Sequence, residues 1–237
     1  MSKAARSNRF TSSLPKNAIV MAKKKSPGIN TQSVPQPEQS LDEPLATPNQ
    51  LKLLSQTVAQ CRACELCANR KNAVFGEGSS RARIFFIGEA PGETEDELGQ
   101  PFVGPAGQLL DKMIEAIGLK REDVYITNVV KCRPSENRDP KPLEIQTCSE
   151  YLNQQLKLIN PELIVALGSV AAQTLLKSEE KISLLRGKLS SYQGVKLLPT
   201  FHPAYLLKSP SSKKQAWEDF KQVASLLNLA LPKKVQS

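Results

Sequence analysis

The 237-residue chain is 40% apolar and carries 32 basic against 23 acidic residues, a net charge of +9. That suits one domain of ordinary size and favours a polyanionic partner. No run of eighteen apolar residues occurs, which excludes a membrane-spanning helix, and a single histidine, His202, excludes sites built on two imidazoles, such as His-rich zinc hydrolases and Cys2His2 fingers.

Residues 1–48 lack hydrophobic periodicity and are rich in Ser, Pro, Asn, Gln and Lys, so a disordered basic tail is expected there. Seven basic and no acidic residues precede Glu38. Such a composition also suits an organellar transit peptide, but a start at Met21 or a solvated basic arm is the preferred reading. The globular domain is expected over 49–230, with a flexible C-terminus at 231–237. Leu51, Leu54 and Val58 predict a short helix that delivers the chain to Cys61.

The segment CRACELC then places Cys61, Cys64 and Cys67 in a C-x2-C-x2-C run, and Cys132 and Cys148 follow later. An odd cysteine count without a secretory signal argues against a disulfide framework and for a reducing, cytoplasmic setting. Four thiolates suffice for tetrahedral zinc or for an iron-sulfur cluster.

Four apolar runs, 83–88, 124–130, 162–167 and 194–200, alternate with helical patterns. They predict an α/β fold, a three-layer α/β/α sandwich around a central four-stranded parallel sheet. After the first run comes a Gly- and Pro-rich loop, Gly88 to Gly107, at the carboxyl end of its strand, where open α/β sheets bind ligands. A phosphate loop is disfavoured: no Gly-Lys-Ser/Thr follows, and Glu89, Glu93, Glu95, Asp96 and Glu97 would repel a triphosphate. Phe102 is the loop's one aromatic residue. Leu109, Leu110, Met113, Ile114 and Ile117 form the stripe of a crossover helix that Gly118 terminates.

The segment KCRPSENRDPKP is expected to be irregular, and Cys148 faces inward on the next helix with Leu152, Leu156 and Ile159. Ser169 is expected to cap a helix over 170–177. The fourth strand runs into PTFHPAYLL, which puts His202 on the same rim as the Gly-rich loop. A last helix, 212–229, is expected to bury Trp217, Phe220, Ala224 and Leu227.

Together, GEAPGETEDELGQPFVGPAGQLL, ITNVVKCRP, FHPAYLL and the cysteine pattern resemble the family 4 (iron-sulfur) uracil-DNA glycosylases from about Cys61 to Phe220. The resemblance implies a monofunctional enzyme that flips uracil out of DNA and hydrolyses its N-glycosidic bond, leaving an abasic site for base-excision repair. It implies a structural [4Fe-4S] cluster on Cys61, Cys64, Cys132 and Cys148, with Cys67 a spectator. Glu89, Ala90 and Pro91 would line the uracil pocket, Phe102 would stack on the base, Asn128 would pair its polar edge and His202 would face a carbonyl oxygen. Family 1 enzymes keep an aspartate where Ala90 stands, so Glu95 first and Glu89 second are candidates to orient the water. Arg133, Arg138 and Lys208, with Lys213 and Lys214, are candidate phosphate contacts, and Tyr205, Leu206 or Leu207 a candidate wedge. The expected partner is uracil-containing DNA, single- or double-stranded, met by a monomer in a prokaryotic-type, nucleoid-associated cytoplasm. A catalytically inactive iron-sulfur nucleic-acid-binding module is the alternative. A deaminase is excluded by the missing H-x-E and P-C-x-x-C pattern, and an electron carrier by the open cysteine spacing.

Overall fold

The computed structural model describes residues 48–232; the expected tail before Pro48 and the last five residues lie outside the described part. Four parallel strands form the centre of the sheet: β2 (Ile84–Gly88), β3 (Tyr125–Asn128), β4 (Leu163–Leu167) and β6 (Val195–Thr200). Two short antiparallel strands, β1 (Glu77–Gly78) and β5 (Ser190–Tyr192), extend them to six in the order β1-β3-β2-β4-β6-β5. The edge strands are two and three residues long, too short to leave an alternating pattern in the sequence.

Alternation along the buried strands supplies two cores. Phe85, Ile87, Tyr125, Ile164, Ala166 and Leu197 face the side covered by α1 (Pro48–Ala59), α4 (Pro142–Ile159) and α5 (Ser169–Leu176). Ile84, Phe86, Ile126, Leu163, Val165 and Leu198 face α3 (Pro105–Ala116) and α8 (Lys213–Leu226), with Phe86 stacked on Phe220 at 6.0 Å. Each of the Val, Leu, Ile and Phe side chains contributes about 1.5–3 kcal/mol on burial. Among the described residues no helix is long and apolar enough to cross a membrane.

Several expectations shift locally. The second predicted run, 124–130, stops at Asn128, because Val129 and Val130 turn their N–H groups onto the carbonyls of Gly88 and Glu89 (2.9 and 3.2 Å). The irregular loop after it contains one 3-10 turn, Ser135–Asn137, bent by left-handed Glu136 and Asn137. Gly168, not Ser169, occupies the N-cap of α5, and no side chain caps that end. Trp217 is only partly buried at the edge of its core.

The chain runs from β2 to β3 on one side and then to β4 on the other, so its direction of winding reverses beside β2. A crevice opens at the carboxyl ends of the strands at such a reversal, and ligands bind there.

Candidate active site and cysteine cavity

The loop after β2, the end of β3 and the start of α7 (Pro203–Lys208) converge on that crevice, which has a volume of about 490 Å³. Its walls include Glu89, Ala90, Pro91, Glu95, Phe102, Asn128 and His202, with Asn137, Arg138 and Lys208 at the polar margin. The volume lies within the range of small-molecule sites.

Two glycines allow the walls to close. A Cβ on Gly88 would stand 2.4 Å from both Asn128 Oδ1 and Phe102 Cζ, so the aromatic ring and the amide meet over bare backbone. A Cβ on Gly107 would lie 1.8 Å from the Phe102 carbonyl oxygen. Any larger residue at either position would push the ring out of place.

Asn128 is 1% exposed, and its Oδ1 has no hydrogen-bond partner. A buried unpaired acceptor costs about 1–3 kcal/mol, so this atom awaits a donor from a ligand. His202 caps α7: its Nδ1 accepts from the Ala204 N–H at 3.1 Å, which leaves the ring proton on Nε2. Burial pushes its pKa down to about 4, against a smaller upward pull from Glu95, so the ring is neutral at physiological pH. Phe102 and His202 tilt toward each other at 5.6 Å between centroids.

The two candidate carboxylates differ in kind. Glu95 lies on α2 (Glu93–Leu98), and its Oε1 accepts from the N–H groups of Val103 and Gly104 (2.9 and 2.8 Å), fixing the turn that enters α3. Glu89 is desolvated and stands beside Asp139, which together raise its pKa to about 7. Asp96 is structural: its buried carboxylate accepts from Lys71 and Asn72 N–H groups.

The expected DNA-contact residues separate. Leu206 is 1% exposed and packs against Phe201 and Ala216, so it is unavailable as a surface contact; in a short helix the sequence could not tell its face from that of its neighbours. Tyr205 and Leu207 point outward, 46% and 44% exposed. Arg138 holds buried Glu144 (2.7 Å), while Arg133 pairs with Glu93 (3.5 Å) and Asn137 and does not line the crevice.

All five cysteines line one small cavity between α1, α4 and the end of β3. Arg70 donates to Cys132 Sγ (2.9 Å) and to the carbonyls of Ala59 (2.8 Å) and Cys61 (2.9 Å). Lys131 is fully buried in the same wall and donates to Thr127 Oγ1 (2.6 Å) and to the Asn128 carbonyl (2.7 Å). Burial pushes the Cys132 thiol up to about 11, with Arg70 opposing, and raises Cys148 and Cys64 as well. Among the described residues no three Cys, His, Asp or Glu side chains converge as the shell of a single ion. Ligands of a cluster stand farther apart, each on its own iron, and soft thiolates beside the Arg70 guanidinium and the buried Lys131 amine donor suit an anionic iron-sulfur group. Arg70 and Lys131 escaped the sequence reading because each acts through contacts that spacing does not encode.

The profile described as "Uracil DNA glycosylase superfamily" matches residues 75–221. The type-4 uracil-DNA glycosylase of Saccharolobus solfataricus is 49% identical over 187 residues, covering 75% of this chain and 87% of its own. That of Thermotoga maritima is 44% identical over 181 residues, covering 75% and 94%. With the crevice at the strand reversal and the cysteine cavity beside it, these similarities establish that the chain belongs to the type-4 branch of the uracil-DNA glycosylase superfamily.

Proposed function

We propose that this protein excises uracil from DNA by hydrolysing its N-glycosidic bond, and the observation that carries this reading is the orphaned Asn128 Oδ1 facing the crevice. Uracil offers an N3–H donor to that oxygen and its O4 to the amide nitrogen, whereas cytosine presents the opposite polarity at both positions. Rejecting cytosine then follows from leaving buried polar groups unpaired. The base must leave the helix to reach this depth, at a cost of a few kcal/mol, and stacking on Phe102 offsets about 1–3 kcal/mol of it. Lys208 at the margin suits the DNA backbone, while Arg138 is held by Glu144, and the enzyme acts as a monomer.

As the bond breaks, negative charge gathers on the base and positive charge on the sugar. The neutral His202 ring donates its Nε2–H to the O2 that gains charge. A dissociative reaction asks little of the base that guides water. Glu89, whose pKa of about 7 matches that task, suits it better than Glu95, whose Oε1 is already held by two backbone N–H groups. Because Glu89 is neutral below about pH 7, single-turnover rates should rise with pH through that region. Glu89→Gln should give a flat, slower profile; wild-type rates in this variant would remove Glu89 from the role and return it to Glu95.

Cys61, Cys64, Cys132 and Cys148 would hold a [4Fe-4S] cluster, which when bound would supply a rigid covalent staple between the segment after α1, the segment after β3 and helix α4. Cys132→Ala is expected to lose iron, the visible absorption band and solubility, while Cys67→Ala keeps all three. Iron content would settle which thiols bind.

The reading itself is tested by incubating the protein with an end-labelled oligonucleotide carrying one uracil. Strand cleavage appearing only after hot alkali, with a thymine control intact, is the result expected of a monofunctional glycosylase. No cleavage by a preparation with full iron would favour the binding-only alternative.

A further inference from the structure

Phe102 adopts a left-handed backbone (φ 51°), a conformation that bulky residues avoid and that the surroundings must impose. Arg121 supplies that constraint. It lies in the 3-10 turn Arg121–Asp123, just before β3, and its guanidinium donates to two successive carbonyls, Pro101 through Nη2 and Phe102 through Nη1 at 3.1 Å. The same fork is held from behind by Asp111 on α3 (2.9 Å) and Glu77 on β1 (3.4 Å). Gly107 closes the opposite side, with no room for a Cβ against the Phe102 carbonyl.

We propose that Arg121 is a positioning residue for base recognition: by clamping the carbonyls of Pro101 and Phe102, it sets the Phe102 ring at stacking distance over a base whose edge is read by Asn128. The 3-10 turn that carries Arg121 runs directly into β3, which ends at Asn128, so one continuous segment carries both the clamp on the ring and the amide. Two adjacent carbonyls and a carboxylate demand a planar fork with several donors, which arginine has and lysine lacks. Arg121 touches no substrate; it acts through Phe102.

The inference rests on the uracil reading, and two variants test it apart from fold stability. Arg121→Lys keeps the charge facing Asp111 and Glu77 but cannot clamp both carbonyls, whereas Arg121→Met loses both. Inhibition of excision by free uracil should weaken about tenfold in both variants, as expected for a displaced stacking partner. Thermal stability should fall in Arg121→Met and recover in Arg121→Lys. Crystal structures of the variants should show the Phe102 ring moved while Asn128 keeps its place. Wild-type uracil inhibition in either variant, or an unmoved ring, would overturn the clamp; uracil inhibition that recovers in step with stability in Arg121→Lys would reduce Arg121 to a structural ion pair. Failure of wild-type protein to bind uracil would instead count against the uracil reading, and the position of the ring would still decide the role of Arg121.

Discussion

His202→Ala should slow single-turnover excision of uracil by about a hundred- to a thousand-fold, the usual cost of removing one preorganised donor to a developing oxyanion. DNA affinity should change little, because the donor acts on charge that exists only as the bond breaks. The geometry defines the donor. Ala204 occupies Nδ1, so the proton sits on Nε2, and burial keeps the ring uncharged down to about pH 4. His202 should therefore add no limb to the rate profile between about pH 5 and 9, and any limb near neutrality belongs to Glu89. Alanine also removes the cap of α7, worth about 1 kcal/mol, so His202→Asn is the sharper variant. Asparagine restores the capping acceptor without an imidazole N–H at the same reach. Slow chemistry in both variants, with stability recovered in His202→Asn, is expected. Wild-type rates in either would remove His202 from the chemical step.

Much of this site was legible because its parts hang on buried strands. Glu89 and His202 follow apolar runs and Asn128 lies within one, their roles were implied by the family resemblance, and strands of a parallel sheet place their carboxyl ends on one rim. The pairing of β2 with β3 and β4 then fixes which rim residues meet. What the sequence concealed depends on contacts between distant segments. Leu206 turns inward onto Phe201 and Ala216, and α7, six residues long, is too short for the sequence to display that face. Arg121 and Arg70 are single polar residues whose partners lie elsewhere in the chain or on backbone atoms, where residue type carries no signal, and Lys131 folds back onto Thr127 and the Asn128 carbonyl. Glu95 read as a candidate for water; two loop N–H groups give it a structural task that only coordinates reveal.

Asn128→Ala should lower uracil excision by at least about a hundredfold while leaving the protein as stable as before. The opposite demands of folding and binding on one atom are the reason. In the free protein Asn128 Oδ1 is buried without a partner, a standing cost of about 1–3 kcal/mol that alanine removes. The space left beside Gly88 takes back a comparable amount as a cavity, so the two terms nearly cancel in the unfolding free energy. In the complex the balance reverses. Uracil would present its N3–H to a wall with no acceptor, after surrendering water, and the unpaired donor would cost about as much as the orphan it replaced. Preference for uracil over cytosine should collapse with the rate, since the Asn128 amide is the group placed to read that edge. The check is a pair of measurements on one preparation: single-turnover rates on matched uracil and cytosine oligonucleotides, and a thermal unfolding midpoint. Loss of activity together with a large fall in the midpoint would make Asn128 a packing residue. Loss of activity alone would identify an atom kept unsatisfied in the fold so that the substrate can satisfy it.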